Sequence, residues 1–358
     1  ARDKVKLEEQ SAQKKVIDIE RGKTTYKVGV IELPTFYVDF QAFWAGDPDY
    51  RSSTRDVERL LQELKEEQVD ALIIDLRNNG GGSLQEANDL TGLFIPSGPV
   101  VQIRNKRHKI ETLEDHNPKV AYSGPLAVLV NRLSASASEI FAGAIQDHGR
   151  GIVIGSQTFG KGTVQNMKDL TKLESSQLKY TQAMFYRVSG ESTQERGIIP
   201  DIVFPELLNK EEIGESSLPE ALPWDRISPA KYQKLSDLGP VIDQLIRQHE
   251  QRVAGNPDFN YLNERLAFLM ETRNKTRTSL NEAERLQERE LAEKRLLEME
   301  NRRRVSKGLE PFKTFAELEK SQESEESRKP PTDVFLLEEA GNILLDWISL
   351  TKTQVAVH

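Results

Sequence analysis

The chain has 358 residues, enough for two domains, and its 37% hydrophobic residues can build a core. A formal net charge of −8 argues against nucleic acid or an anionic membrane as the main partner, and no apolar run approaches the roughly 18 residues of a membrane span. Zero cysteines exclude disulfides, thiolate zinc sites and a cysteine nucleophile, and His108, His116, His148, His249 and His358 are scattered without ligand spacing, so no metal or other cofactor is expected.

The chain begins Ala1-Arg2-Asp3, without methionine or signal sequence, which reads as a processed or truncated form. Residues 1–23 read as a connecting segment, charged and with alternation only near Lys15 to Ile19. Residues 26–33 alternate as a strand ended by Pro34, and the aromatic stretch 36–50, with Gly46 and Pro48, reads as a loop packed on the core. Val57, Leu60, Leu61 and Leu64 fall at i, i+3, i+4 and i+7, an amphipathic helix starting near Ser53 or Thr54. Residues 71–76 form a short apolar strand, and Ser83 with Glu86 caps a helix through Leu84, Ala87 and Leu90. Residues 100–103, 126–130 and 152–154 read as further strands, so the rhythm implies βαβ units around a largely parallel sheet with right-handed crossovers. Leu178, Tyr180, Met184, Tyr186 and Val188 alternate as a late strand with one wet face.

Composition shifts after Pro205, where Pro219 and Pro223 bracket a linker ending at Trp224. Helical patterns then cover 238–253, 261–270 and 281–304, the last a charged, solvated helix. Residues 321–331 read as a polar flexible segment, and Leu336, Ala340, Ile343, Leu344 and Trp347 form a stripe that needs an apolar surface. The expected division is therefore a core over 24–205 and an α-helical region over 206–358 that docks on it.

The densest chemistry lies between residues 131 and 165. The apolar run 126–130 breaks at Asn131-Arg132 into three alternating serines, Ser134, Ser136 and Ser138, and a helix begins near Glu139. A strand that stops sharply into a helix start lifts a side chain to the sheet edge, as in a nucleophile elbow. Ser136 and Glu139 equally form a capping box, so a plain capped helix accounts for the segment as well. Lys161 stands between Gly160 and Gly162, with Phe159 and Val164 beside it. A lysine serves a serine as general base only where its surroundings lower its pKa from about 10.4 toward neutrality. An apolar small-residue turn permits this; a solvated loop lysine is the bland alternative. The three glycines 80–82 either present N–H groups to a ligand or make a tight turn before a capped helix.

Taken together, S-A-S-A-S-E-I-F-A-G-A (134–144), T-F-G-K-G-T-V-Q (158–165), D-L-R-N-N-G-G-G (75–82) and G-I-I-P-D-I (197–202) resemble the carboxyl-terminal processing proteases, most of all their bacterial tail-specific branch. The resemblance covers residues 29–205 and implies a crotonase-like α/β protease core followed by the helical region. It implies that Ser136 is the nucleophile and Lys161 its general base, with Gln165 orienting the lysine. The N–H of Gly81 or Gly82, with that of Ala137 at a helix start, would form the oxyanion hole. It further implies a periplasmic serine endopeptidase acting on unfolded or C-terminally tagged proteins bound as extended tails, with a lipoprotein adaptor as a further partner. Members carry a helical region and a PDZ domain before the sheet; neither is visible, so Ala1 is expected about where a PDZ domain would end.

The family pattern also has an acidic residue at Asp147. A helix from Ser136 to His148 puts the two about 18 Å apart at 1.5 Å per residue, so Asp147 is expected to be structural or supporting and His148 a helix-end residue. Two other classes stay open on the sequence: a hydratase whose paired glycine N–H groups bind a thioester enolate, and a non-catalytic scaffold whose helical tail binds partners.

Overall fold

The computed structural model describes residues 11–170, 176–323 and 331–356. It opens with a hairpin: β1 (Gln13–Arg21) pairs antiparallel with β2 (Thr24–Glu32) across a turn in which Gly22 has φ +64°. Residues 13–21, read from sequence as connecting segment, are thus the outer strand of the main sheet. Their charged residues mask a period-two pattern in which Val16 packs toward one core and Ile17 and Ile19 toward the other. After Phe36, which is buried, comes α1 (Phe40–Trp44), capped by Asp39. Phe40, Phe43 and Trp44 are 47%, 50% and 76% exposed, so the aromatic stretch does not lie wholly on the core.

The next elements are α2 (Ser53–Glu66), β3 (Ala71–Asp75), α3 (Leu84–Gly92), β4 (Gly98–Asn105), β5 (Ile110–Asp115), β6 (Leu126–Val130), α4 (Ala137–Asp147), β7 (Ile152–Gly155), β8 (Thr163–Asp169), β9 (Gln177–Tyr186) and β10 (Ile202–Val203). The main sheet has the order β1-β2-β3-β6-β7-β10, parallel from β2 onward. Strands β3 and β6 are apolar throughout their buried centres because both faces are covered. Leu72 and Ile74 face α2, α3 and α4, whereas Ala71 and Ile73 face the opposite core. Residues 100–103, expected in the parallel sheet, belong instead to a second, antiparallel sheet of order β5-β4-β9-β8. An apolar strand signals burial, not its pairing partner, and the partner β9 lies some eighty residues on.

The opposite face is closed by α5 (Gly239–Val253), α6 (Pro257–Arg273) and α9 (Pro331–Ala356), while α7 (Glu282–Ser306) and α8 (Phe315–Glu323) stack outside on α6 and α7. Of the expected stripe on α9, Ala340, Ile343 and Leu344 lie fully inside the sheet core, Leu336 and Trp347 are partly buried against it with Leu337 buried beside them, and Gly341 passes so close to β1 that an added Cβ would meet Ile19 Cδ1 at 2.5 Å. A polar network fixes this packing: His249 and Arg252 of α5 bond Glu339, Arg252 also bonds Asp346 at 2.7 Å, and Arg21 of β1 donates to Asp346 and Asn342. The helical region and the sheet therefore share one core. Of the segment expected to be flexible, residues 324–330 lie outside the described residues, while 321–323 close α8 and Pro331 starts α9. No helix among the described residues is long and apolar enough to cross a membrane.

Candidate active site

The parallel strands β3, β6 and β7 deliver three loops to one sheet edge, at their C-terminal ends, where open α/β sheets bind ligands. The first loop carries the glycines, the second the serines and the third Lys161.

In the serine turn the alternation has a structural meaning. Ser134 and Ser138 are completely buried and spent on the fold: Ser134 Oγ donates to the Leu76 carbonyl at 2.7 Å, and Ser138 Oγ to that of Asn79 at 2.8 Å. Ser136 between them is half-buried, caps α4, and has φ +58° and ψ −113°. Such a backbone costs a non-glycine residue on the order of 1–3 kcal/mol and persists only where its surroundings impose it. The sharp strand-to-helix turn expected from the sequence is therefore present, and one serine of three is presented at its tip.

The glycine loop packs directly on this turn. A Cβ on Gly81 would lie 2.8 Å from Ser136 Cβ and 3.1 Å from Ala137 N, and one on Gly82 would lie 2.2 Å from the Phe36 carbonyl oxygen, so side chains are excluded at both. Asn79, which sequence reading passed over, ties the loops together. Its carbonyl accepts from Ala135 N–H at 3.0 Å, its Oδ1 accepts from Gly81 N–H at 2.9 Å, and its Nδ2 donates to the Leu33 carbonyl at 2.8 Å. Gly81 N–H is thereby committed, whereas the N–H groups of Gly82 and Ala137 donate to no other group among the described residues.

Glu139 was legible only as a cap partner, and its role is wider. Its Oε2 accepts from Ser136 N–H at 2.7 Å and from Lys161 N–H at 2.9 Å; its Oε1 accepts from Gly160 N–H at 2.7 Å and from Thr158 Oγ1 at 2.5 Å. Two bonds to one oxygen hold the backbone nitrogens of Ser136 and Lys161 within the sum of those lengths. Complete burial pushes the Glu139 carboxyl up to about 7, against the four hydrogen bonds that favour its charge.

The Lys161 side chain is half-buried, and its Nζ donates to Gln165 Oε1 at 3.3 Å, not to Ser136. A β-bulge between Val164 and Gln165 re-aims β8 where it leaves the lysine loop. Asp147 lies at the far end of α4, where it binds Arg187 Nε at 3.0 Å and Ser189 Oγ at 3.1 Å. His148 closes the helix with its ring bonded to the Pro99 carbonyl at 2.8 Å. Neither reaches the lysine. No group of three or more metal-ligating side chains occurs among the described residues.

Residues 27–204 match peptidase family S41, and residues 208–349 match the C-terminal domain of tail-specific proteases. The chain belongs to the S41 peptidase family. It is 39% identical to the tail-specific protease of Haemophilus influenzae over 99% of this chain and 48% of that protein. It is 36% identical to the carboxy-terminal-processing protease of Bartonella bacilliformis over 48% of this chain and 40% of that one. Among solved structures it is similar to the photosystem II D1 C-terminal processing protease, with 28% identity and a TM-score of 0.45, covering 56% of this chain and 50% of that one. The chain thus spans about half, or less, of the length of these relatives.

Proposed function

We propose that the chain is the catalytic and C-terminal part of a tail-specific serine endopeptidase working through a Ser136–Lys161 dyad. The observation that carries the reading is the shared acceptor: Glu139 Oε2 binds the backbone N–H groups of both residues, so the strained serine turn and the lysine loop are held as one unit. Ser136 Oγ attacks the scissile carbonyl carbon and passes its proton to Lys161 Nζ, which Gln165 orients. The carbonyl oxygen gains charge and is met by the free N–H groups of Gly82 and Ala137, the latter on the positive end of α4. Lysine then protonates the leaving amine, and water, deprotonated by the same lysine, hydrolyses the serine ester. Gly81 shapes this pocket by lacking a side chain, and Asp147 acts only by anchoring Arg187.

Substrates are unfolded or C-terminally tagged proteins of the periplasm, presented as extended tails with or without a lipoprotein adaptor. Strand β8 supports this class: it begins two residues after Lys161 and forms an outer edge of the second sheet, where an extended peptide can add by main-chain hydrogen bonds. The test is cleavage of an unfolded model protein at neutral pH, with Ser136→Ala as blank. Fragments from the parent alone are expected; no cleavage, or equal cleavage by the blank, would overturn the reading.

A further inference from the structure

The lysine loop, residues 159–162, has every backbone N–H engaged. Phe159 N–H donates to the Ser134 carbonyl at 3.0 Å, Gly160 and Lys161 donate to Glu139, and Gly162 N–H donates to Gln194 Oε1 at 2.9 Å. The first three acceptors belong to the serine turn and its helix. The fourth comes from a different part of the chain. Gln194 is completely buried, and its backbone presses on the loop: a Cβ on Gly162 would lie 2.7 Å from Gln194 N. Because Oε1 faces an N–H donor, the amide of Gln194 is oriented without ambiguity, and its Nε2 donates onward to Glu215 Oε1 at 3.1 Å.

Glu215 lies beyond the S41 region, in a short 3-10 turn, Glu215–Ser217, between β10 and α5. It touches the loop a second time through its own N–H, which donates to the Phe159 carbonyl at 3.0 Å. The residues just before it reach the serine turn as well. Arg132, almost fully buried, donates to the carbonyls of Ile213 at 2.5 Å and Lys210 at 3.2 Å, and also to that of Thr158. Gly214, with φ +140°, leaves room for that guanidinium, since a Cβ there would lie 1.9 Å from Arg132 Nη2. One segment of the C-terminal region, residues 210–215, therefore grips both catalytic loops.

We infer that Gln194 and Glu215 form a positioning latch, through which the segment joining the two regions sets the placement of Lys161. The inference rests on the dyad reading above for its effect on turnover, but the latch itself is a structural claim that can be read without activity. Two complementary swaps test it. Gln194→Glu turns a donor into an acceptor facing the Glu215 carboxylate, whereas Gln194→Glu combined with Glu215→Gln restores a donor–acceptor pair and keeps an acceptor for Gly162 N–H.

The expected result is a kcat at least tenfold lower in Gln194→Glu with KM changed less than about twofold, and recovery to within about threefold of the parent in the double variant. Amide hydrogen exchange over residues 159–164 should accelerate at least tenfold in Gln194→Glu and return in the double variant. Should Gln194→Glu fail to fold, Glu215→Ala, whose side chain is only half-buried, should give faster exchange in the same segment. Unchanged exchange in a folded Gln194→Glu or Glu215→Ala protein, or a double variant no better than Gln194→Glu, would overturn the latch. A parent that does not cleave, or a Ser136→Ala protein that does, would overturn the dyad reading and leave the exchange result to decide the latch.

Discussion

Glu139 and Glu339 lie on opposite faces of the parallel sheet, each almost wholly buried, and their surroundings treat them in opposite ways. Glu139 has no ion-pair partner among the described residues and is met by three backbone N–H groups and a threonine hydroxyl, so burial prevails and lifts its pKa to about 7. Burial also pushes Glu339 up, but hydrogen bonds from His249 and Arg252 outweigh it and hold the carboxyl below the ordinary value. Around Glu139, the loops of the site face are held by neutral dipoles. The face that carries the helical region is locked by full ion pairs. It follows that substitutions at Glu139 and the loops it holds should change chemistry, and substitutions at Glu339 should change stability.

The largest expected effect is on the site face. Ser136→Ala and Lys161→Ala should each lower peptide hydrolysis by about 10³-fold or more, with the double variant no worse, since groups acting as a unit are not additive. Melting temperature should stay within a few degrees. Strong turnover remaining in Lys161→Ala at neutral pH would mean that another base operates.

On the other face, Glu339→Ala leaves buried His249 without its acceptor and half-buried Arg252 with Asp346 alone, which should cost about 1–3 kcal/mol by urea denaturation. Turnover per folded molecule should be close to the parent's. A stable variant, or one that folds but fails to cleave, would break the division between faces.

The two glutamates also predict opposite pH dependences. The Glu139 carboxyl loses its proton in the unfolded chain near 4.5 but in the fold only near 7, so its contribution to stability falls as pH rises through that window, by up to ~1.4 kcal/mol per unit. Glu339 has a lowered value, so its contribution is present above the unfolded value of 4.5 and is lost as pH falls through the folded one. Urea midpoints against pH should show the first slope vanish in Glu139→Gln and persist in Glu339→Gln. An unchanged slope in Glu139→Gln would mean that its proton is not the one taken up. Glu139→Gln should also lower kcat about tenfold or more, because its amide NH₂ must face N–H donors.

The smallest contrast lies within the site face. Gln165→Ala, at an exposed position, should lower kcat up to about tenfold with no change in melting temperature. Asp147→Ala should instead destabilise by roughly 1–3 kcal/mol through loss of the ion pair to Arg187, which keeps only Gln146 as a side-chain acceptor, and leave kcat within about threefold. A reversal of these two profiles would move Asp147 into the chemistry.

Much of this molecule was legible in the sequence where the signal is local. Helix α2 follows from Val57, Leu60, Leu61 and Leu64, all buried, and the turn at Ser136 from an apolar strand ending in small residues before a helix. The centre of the stripe on α9, Ala340, Ile343 and Leu344, was visible too, because helical period and burial coincide there. What stayed hidden depends on partners far along the chain. Residues 100–103 announce a strand, but their pairing with β9 is a matter of tertiary closure. Glu139 announces a cap, but Gly160 and Lys161 arrive more than twenty residues later to share its oxygens. Asn79 carries no signal of its own beside the three glycines, and only the folded structure commits its carbonyl and both amide atoms to three different segments. Strand β1 was hidden differently, since an edge strand tolerates charged residues that blur the period-two signal.

The central claim is that of three alternating serines only Ser136 is a nucleophile and that Lys161 activates it. Its most direct test is the intact and peptide mass of the protein treated with a fluorophosphonate at neutral pH. A single phosphonyl adduct is expected, on Ser136, absent in Ser136→Ala and formed about 10³-fold more slowly in Lys161→Ala. An adduct on Ser134 or Ser138, or labelling of Ser136 at the parent rate without Lys161, would contradict it.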